Sequence, residues 1–158
     1  MHYLVRLIIE AEDVEEVISQ ASSVMDNLVD WNEIDWYTYP DQESGWDDCW
    51  KPMKLESESG QAWVREAMDA QYDDFSRCML SIRQMVLDYS DQEIFEEDFG
   101  EKSSNYLSRY IFSKASGYHA NSCQLYDTNG SSITNRGDLS YYLKDPENLW
   151  VVQVDCHS

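Results

Sequence analysis

His119, Cys123, Cys156 and His157 are side chains of the kinds that bind zinc, but no C-x-x-C or H-x₃-H framework converges them. Cys156 and His157 are also neighbours, and neighbouring residues of a strand point to opposite faces. Asp127, Asn129, Ser131, Ile133, Asn135 and Asp138 fall at positions 1, 3, 5, 7, 9 and 12 of a calcium-loop pattern. Its glycine stands at position 4 instead of 6, and the flanks read as strands, so a hairpin turn accounts better for 127–138. Whether that turn takes a cation stays open. Asp155-Cys156-His157 has the letters of a thiol relay, yet consecutive residues cannot pass a proton across space. There is no G-x-S-x-G, P-loop or G-x-G-x-x-G, and Arg136-Gly137-Asp138 reads as a turn. The sequence therefore points to no catalytic residue, no metal-ligand set and no cofactor. A small enzyme or a metal-binding protein remains an alternative.

What the chain has in abundance is carboxylate. Among 158 residues, 31 are Asp or Glu and 11 are Lys or Arg, a net charge of −20. Aromatics at 13% and clear apolar periodicity separate it from a disordered acidic tail. Residues 1–98 carry 25 acidic and 6 basic side chains, and residues 99–158 carry 6 and 5. A halophilic surface would be acidic throughout, so this asymmetry favours a negative face presented to a partner. Direct contact with nucleic acid is disfavoured, because phosphate would repel the chain. The converse is attractive: duplex DNA carries one charge per roughly 1.7 Å, so nineteen net charges match about 32 Å of duplex. Carboxylates four apart on a helix, such as Asp69 and Asp73, or Glu93 and Glu97 if helical, repeat at about 6 Å.

These groups must be positioned by the elements that periodicity predicts. Residues 3–10 read as a strand with Tyr3, Val5, Leu7 and Ile9 on one face and Arg6 and Glu10 on a partly wet one. Asp13 and Glu16 form a capping box for a helix to about Val29, and the dipole accounts for the acids of its first turn. Residues 33–39 read as a second strand lying beside the first. The loop 40–58 interleaves Asp47 and Asp48 with Trp46 and Trp50, tryptophans that could anchor a partner or fold back over the core. Met68, Tyr72, Phe75, Met79, Ile82, Val86 and Tyr89 alternate at steps of four and three, which predicts a long helix from near Ser59 with all seven in the core. Glu66, Asp69, Asp73 and Asp74 fall on its other side, and Asp91, Glu93, Glu96, Glu97 and Asp98 on an acidic exit loop. Ser103 or Ser104 should cap a further helix, with Tyr106, Leu107, Tyr110 and Ile111 inside, Lys114 in its last turn and Gly117 closing it. Residues 123–126 and 131–134 form a hairpin, 138–143 a short helix and 149–155 a final strand. The expected fold is one α+β domain over 1–158, mainly antiparallel, with a ferredoxin-like β-α-β start, a long central helix and a C-terminal hairpin plus strand.

Two stretches, Tyr3-Leu4-Val5-Arg6-Leu7-Ile8-Ile9-Glu10-Ala11 before an acidic helix and Asp127-Thr128-Asn129-Gly130 with Trp150-Val151-Val152-Gln153-Val154-Asp155-Cys156-His157, resemble the start and end of small phage-type acidic α+β proteins. The resemblance covers about a third of the chain and carries over no catalytic residue. It implies a phage or mobile-element context, in which small acidic proteins often block host defence. Together with the charge, it leads to the expectation of a nucleic-acid mimic. Its partner would be a basic nucleic-acid-binding host protein, such as a CRISPR effector or restriction enzyme. The expected contacts are Glu66, Asp69, Asp73, Asp74, Asp91, Glu93, Glu96, Glu97, Asp98, Asp47 and Asp48, with Trp46 and Trp50 as anchors. The alternative is an acidic interaction module without mimicry, and an oligomer is possible. Four dispersed cysteines, the lack of a leader-like start and the lack of a roughly 20-residue apolar run predict a reducing cytoplasm and no membrane contact.

Overall fold

A computed structural model describes residues 2–100, 108–116 and 122–157. The fold is α+β, and the chain divides into two compact units, residues 1–69 with 121–158 and residues 70–120.

The first unit is built on a mixed sheet. Strand β1 (His2–Glu10) lies between β5 (Leu149–His157), antiparallel to it, and β4 (Cys123–Asp127), parallel to it. The β-α-β start is present: α1 (Val14–Asp30) follows β1 and leads to the two-residue β2 (Trp36–Tyr37). Strand β2 lies beside β5, not beside β1 as its position in the sequence suggests. A second short strand, β3 (Met53–Lys54), also pairs with β5. Between and around them the N–H groups of Asp35, Thr38, Trp50 and Leu55 donate to the carbonyls of His157, Asp155, Gln153 and Leu149. The outer edge of β5 is thereby laced shut, which removes an exposed edge.

One face of this sheet makes the core. Tyr3, Val5, Leu7 and Ile9 meet Val17, Ala21, Val24, Met25 and Leu28 of α1, all buried. The Val, Leu, Ile and Met side chains among them each contribute roughly 1.5–3 kcal/mol on burial. Asp13 caps α1 by accepting from the Glu16 N–H at 2.9 Å, and Glu16 returns the bond to the N–H of Glu12. The expected wet face of β1 is dry at Arg6, which is only 8% exposed. The reason is tertiary: the first turns of α2 (Glu58–Asp88) cover it, with Arg6 donating to the Trp63 carbonyl and to Glu66. The expected C-terminal hairpin is closed by a single bridge between Tyr126 and Ser132, after which Asn135 caps α5 (Arg136–Lys144).

The second unit holds the rest of α2, then α3 (Asp91–Glu96) and α4 (Ser108–Ala115). The acidic exit loop is thus largely a capped helical turn: Ser90 and Glu93 form a reciprocal capping box. The predicted apolar stripe of α2 needs correcting. Met68 is buried, but Tyr72, Phe75 and Val86 are 57%, 43% and 61% exposed, and Met79, Ile82 and Tyr89 are half-buried. In the first unit Val64, Ala67 and Met68 are buried, on the turns of α2 whose Trp63 and Glu66 meet Arg6 of β1. Among the described residues of the second unit, helices of six and eight residues accompany the remaining turns of α2. The inner side predicted for α4 also differs, since Tyr110 is 54% exposed. The positions Ser103, Ser104, Tyr106, Leu107 and Gly117 lie outside the described residues, as does His119.

Candidate functional site

Alternation along β5 puts Gln153, Asp155 and His157 on the face away from α1, and pairing sets them opposite Arg6, Leu4 and His2. The result is a polar row on an otherwise apolar sheet. Asp155, 2% exposed, lies 3.0 Å from His2 Nδ1 through Oδ1 and accepts from the Ser44 hydroxyl at 3.1 Å through Oδ2. The Ser44 hydroxyl is also 3.4 Å from Cys49 Sγ. Gln153 accepts from Arg6 Nε at 3.0 Å and donates to the Asp47 carbonyl at 3.1 Å. The rings of His2 and His157 meet edge to face, centroids 5.2 Å apart.

A thiol, a hydroxyl, a carboxylate and an imidazole are therefore linked within hydrogen-bond reach. Burial pushes the Cys49 thiol up, so the site holds a thiol and not an activated thiolate. What the row achieves is attachment: a buried carboxylate and amide hold the 44–49 loop against the sheet. Cys156 faces the other way into the core, where burial raises its thiol well above the ordinary range, so Asp155, Cys156 and His157 share no site. At the 127–138 turn, Asp127 Oδ1 accepts from the N–H groups of Asn129 and Ser131, and Oδ2 accepts from the Tyr142 hydroxyl. Its carboxylate closes the turn. The polar row was not legible as a site in the sequence. Its only local signal is polar residues at alternate positions of two apolar strands.

The residues singled out from the sequence as partner contacts fall into two groups. Trp46, Asp47, Asp48, Trp50, Glu66 and Asp69 belong to the first unit, and Asp73, Asp74, Asp91, Glu93, Glu96, Glu97 and Asp98 to the second. Trp50 is not an anchor: it is 8% exposed, packs against Tyr37 and donates from Nε1 to the Thr38 carbonyl at 2.5 Å. Trp46 is 44% exposed. Ion pairs engage Asp48 with Lys51, Glu66 with Arg6, Asp69 with Arg136 and Asp74 with Arg77.

Two of the exit-segment acids have structural work. Glu93 caps α3, and its hydrogen bonds from the Ser90 hydroxyl and N–H hold its carboxyl below the usual range. Glu97 sits at a left-handed φ of 54° and accepts from the Arg109 N–H at 3.1 Å and the Ser108 hydroxyl at 2.9 Å, which lower its carboxyl likewise. Glu97 therefore does not continue a helix with Glu93, so that pair does not repeat at helical spacing. Asp47, Asp73, Asp91, Glu96 and Asp98 point into solvent. Of all described acidic residues, Asp155 alone is buried.

No helix among the described residues is long and apolar enough to cross a membrane. A family model described as "Domain of unknown function (DUF7995)" matches residues 1–158, the whole chain. No curated protein and no solved structure matches it.

Proposed function

We propose that this chain, which belongs to the DUF7995 family, is an acidic mimic of nucleic acid that occupies the basic groove of a nucleic-acid-handling protein. A CRISPR effector or a restriction enzyme in a host cytoplasm is the partner class that fits. The observation that carries the reading is the placement of the charge. With a net charge of −20 and Asp155 as the one buried acid among the described residues, nearly all the negative charge faces water. Such a surface steers a positively charged cleft toward it and repels nucleic acid itself.

The test is retention of basic nucleic-acid-binding proteins from a host lysate, followed by binding of each captured protein at increasing salt. Affinity should fall at least about tenfold between low and physiological ionic strength, and duplex DNA should compete. Reversing Asp47 and Asp48 to Lys tests the first unit, and reversing Glu96 and Asp98 to Lys tests the second. Binding that ignores salt and both pairs of reversals rules the mimic out.

A further inference from the structure

Beyond Asp69, α2 exposes Tyr72, Phe75, Leu80, Val86 and Leu87 by 43–81%. At 100° per residue these five occupy an arc of about 140° on one side of the helix. The half-buried and buried residues Cys78, Ile82, Met85 and Tyr89 lie on the neighbouring flank. An apolar groove of about 380 Å³ continues the band from Val86 to Phe95 and Phe112, themselves 68% and 42% exposed. Taking about 150–250 Å² for a large apolar side chain, the seven expose roughly 700 Å². The largest patch on an ordinary monomer is about 300–600 Å².

We infer that this band is a self-association surface, on which α2 of a second copy of the chain packs antiparallel about a twofold axis. Three observations choose this occupant. The area is close to the roughly 800 Å² per partner of a standard interface. Charge selects the same region: residues 70–120 carry 9 acidic and 5 basic side chains, against 22 and 6 on the remainder, so this is where two copies repel least. The pattern is also self-complementary. The band 72–87 is centred between Met79 and Leu80, so a crossing there sets Tyr72 against Leu87 of the other copy. It also brings Arg83 within one turn of the other copy's Asp73. Both are exposed, and neither has an ion-pair partner among the described residues. An isologous contact makes each such pairing twice.

Sedimentation over a concentration series decides it. The chain should form a species of twice 18.5 kDa with a Kd in the roughly micromolar range. Val86→Glu with Leu87→Glu should abolish that species while leaving circular dichroism unchanged, because both sites face solvent, and Leu80→Lys should act likewise. Asp73→Arg and Arg83→Asp should each weaken it, and the double reversal should restore it. Added salt should strengthen association by screening two −20 bodies, the opposite sign to mimic binding, so the two readings fail separately. A single 18.5-kDa species at every concentration overturns the inference, as does a dimer indifferent to all three apolar substitutions. A double reversal no better than its singles overturns the antiparallel crossing.

Discussion

Two parts of one helix carry apolar residues at the same spacing and meet different fates. In the turns before Ala70, Val64, Ala67 and Met68 are at most 2% exposed, and Gly60 is buried against the carbonyl of Lys54. In the turns after Asp69, Tyr72, Phe75 and Val86 face water. Helical periodicity supplies an apolar stripe but not the surface that covers it. The same contrast governs charge. Arg6 is buried with Gln153 and Glu66 as partners, while Arg83, on an uncovered stretch, stays in solvent.

The sharpest way to break this comparison is at Gly60. A Cβ there would lie 2.2 Å from the Lys54 carbonyl oxygen, a backbone atom that cannot swing aside. Gly60→Ala should cost about 3 kcal/mol or more in urea unfolding, at the upper end of overpacking. A loss below about 1 kcal/mol would show that α2 does not approach the sheet this closely.

Next come two truncations on the same helix. Met68→Ala should cost about 2–5 kcal/mol, as a fully covered side chain does. Leu87→Ala, in protein dilute enough to be monomeric, should change stability by about 0.5 kcal/mol or less. Equal costs at the two sites would mean that the two parts of α2 are equally covered.

The smallest effect concerns Glu97. Its carboxyl lies below the ordinary value of 4.5 because the Arg109 N–H and Ser108 hydroxyl bind the ionised form. A depressed folded value means stability fully present above the unfolded value and lost as pH falls through the folded one. The start of α4 should therefore loosen only below pH 4.5, and Glu97→Gln should remove that dependence. Carboxyl chemical shifts during an acid titration would read it directly, and a midpoint for Glu97 at or above 4.5 would contradict it.

Much of the fold could be read from local pattern. The alternation of β1 and β5, the Asp13 cap, the long α2, the short α5 and the turn at Asp127 all follow from side-chain spacing and hydrogen-bonding type. The acidic surface was legible as well, since carboxylates seldom enter a core unpaired. Its division was not. The charge changes along the sequence after Asp98, whereas the compact units divide after Asp69 and again after residue 120. Trp46 and Trp50 look alike in a loop of acids, and only the contact with Tyr37 and Thr38 assigns one of them to the core.

By itself, the sequence determined the long segments, β1, α1, α2 and β5, because periodicity, capping and turn chemistry act over a few residues. It also determined that the protein is strongly negative. The tertiary structure alone decided what covers each face: β5 beside β1 and β2, α2 over Arg6, and Asp155 between His2 and Ser44. These residues stand 57–153 positions apart along the chain. Burial depends on what the fold places opposite a side chain, and local spacing carries no record of that.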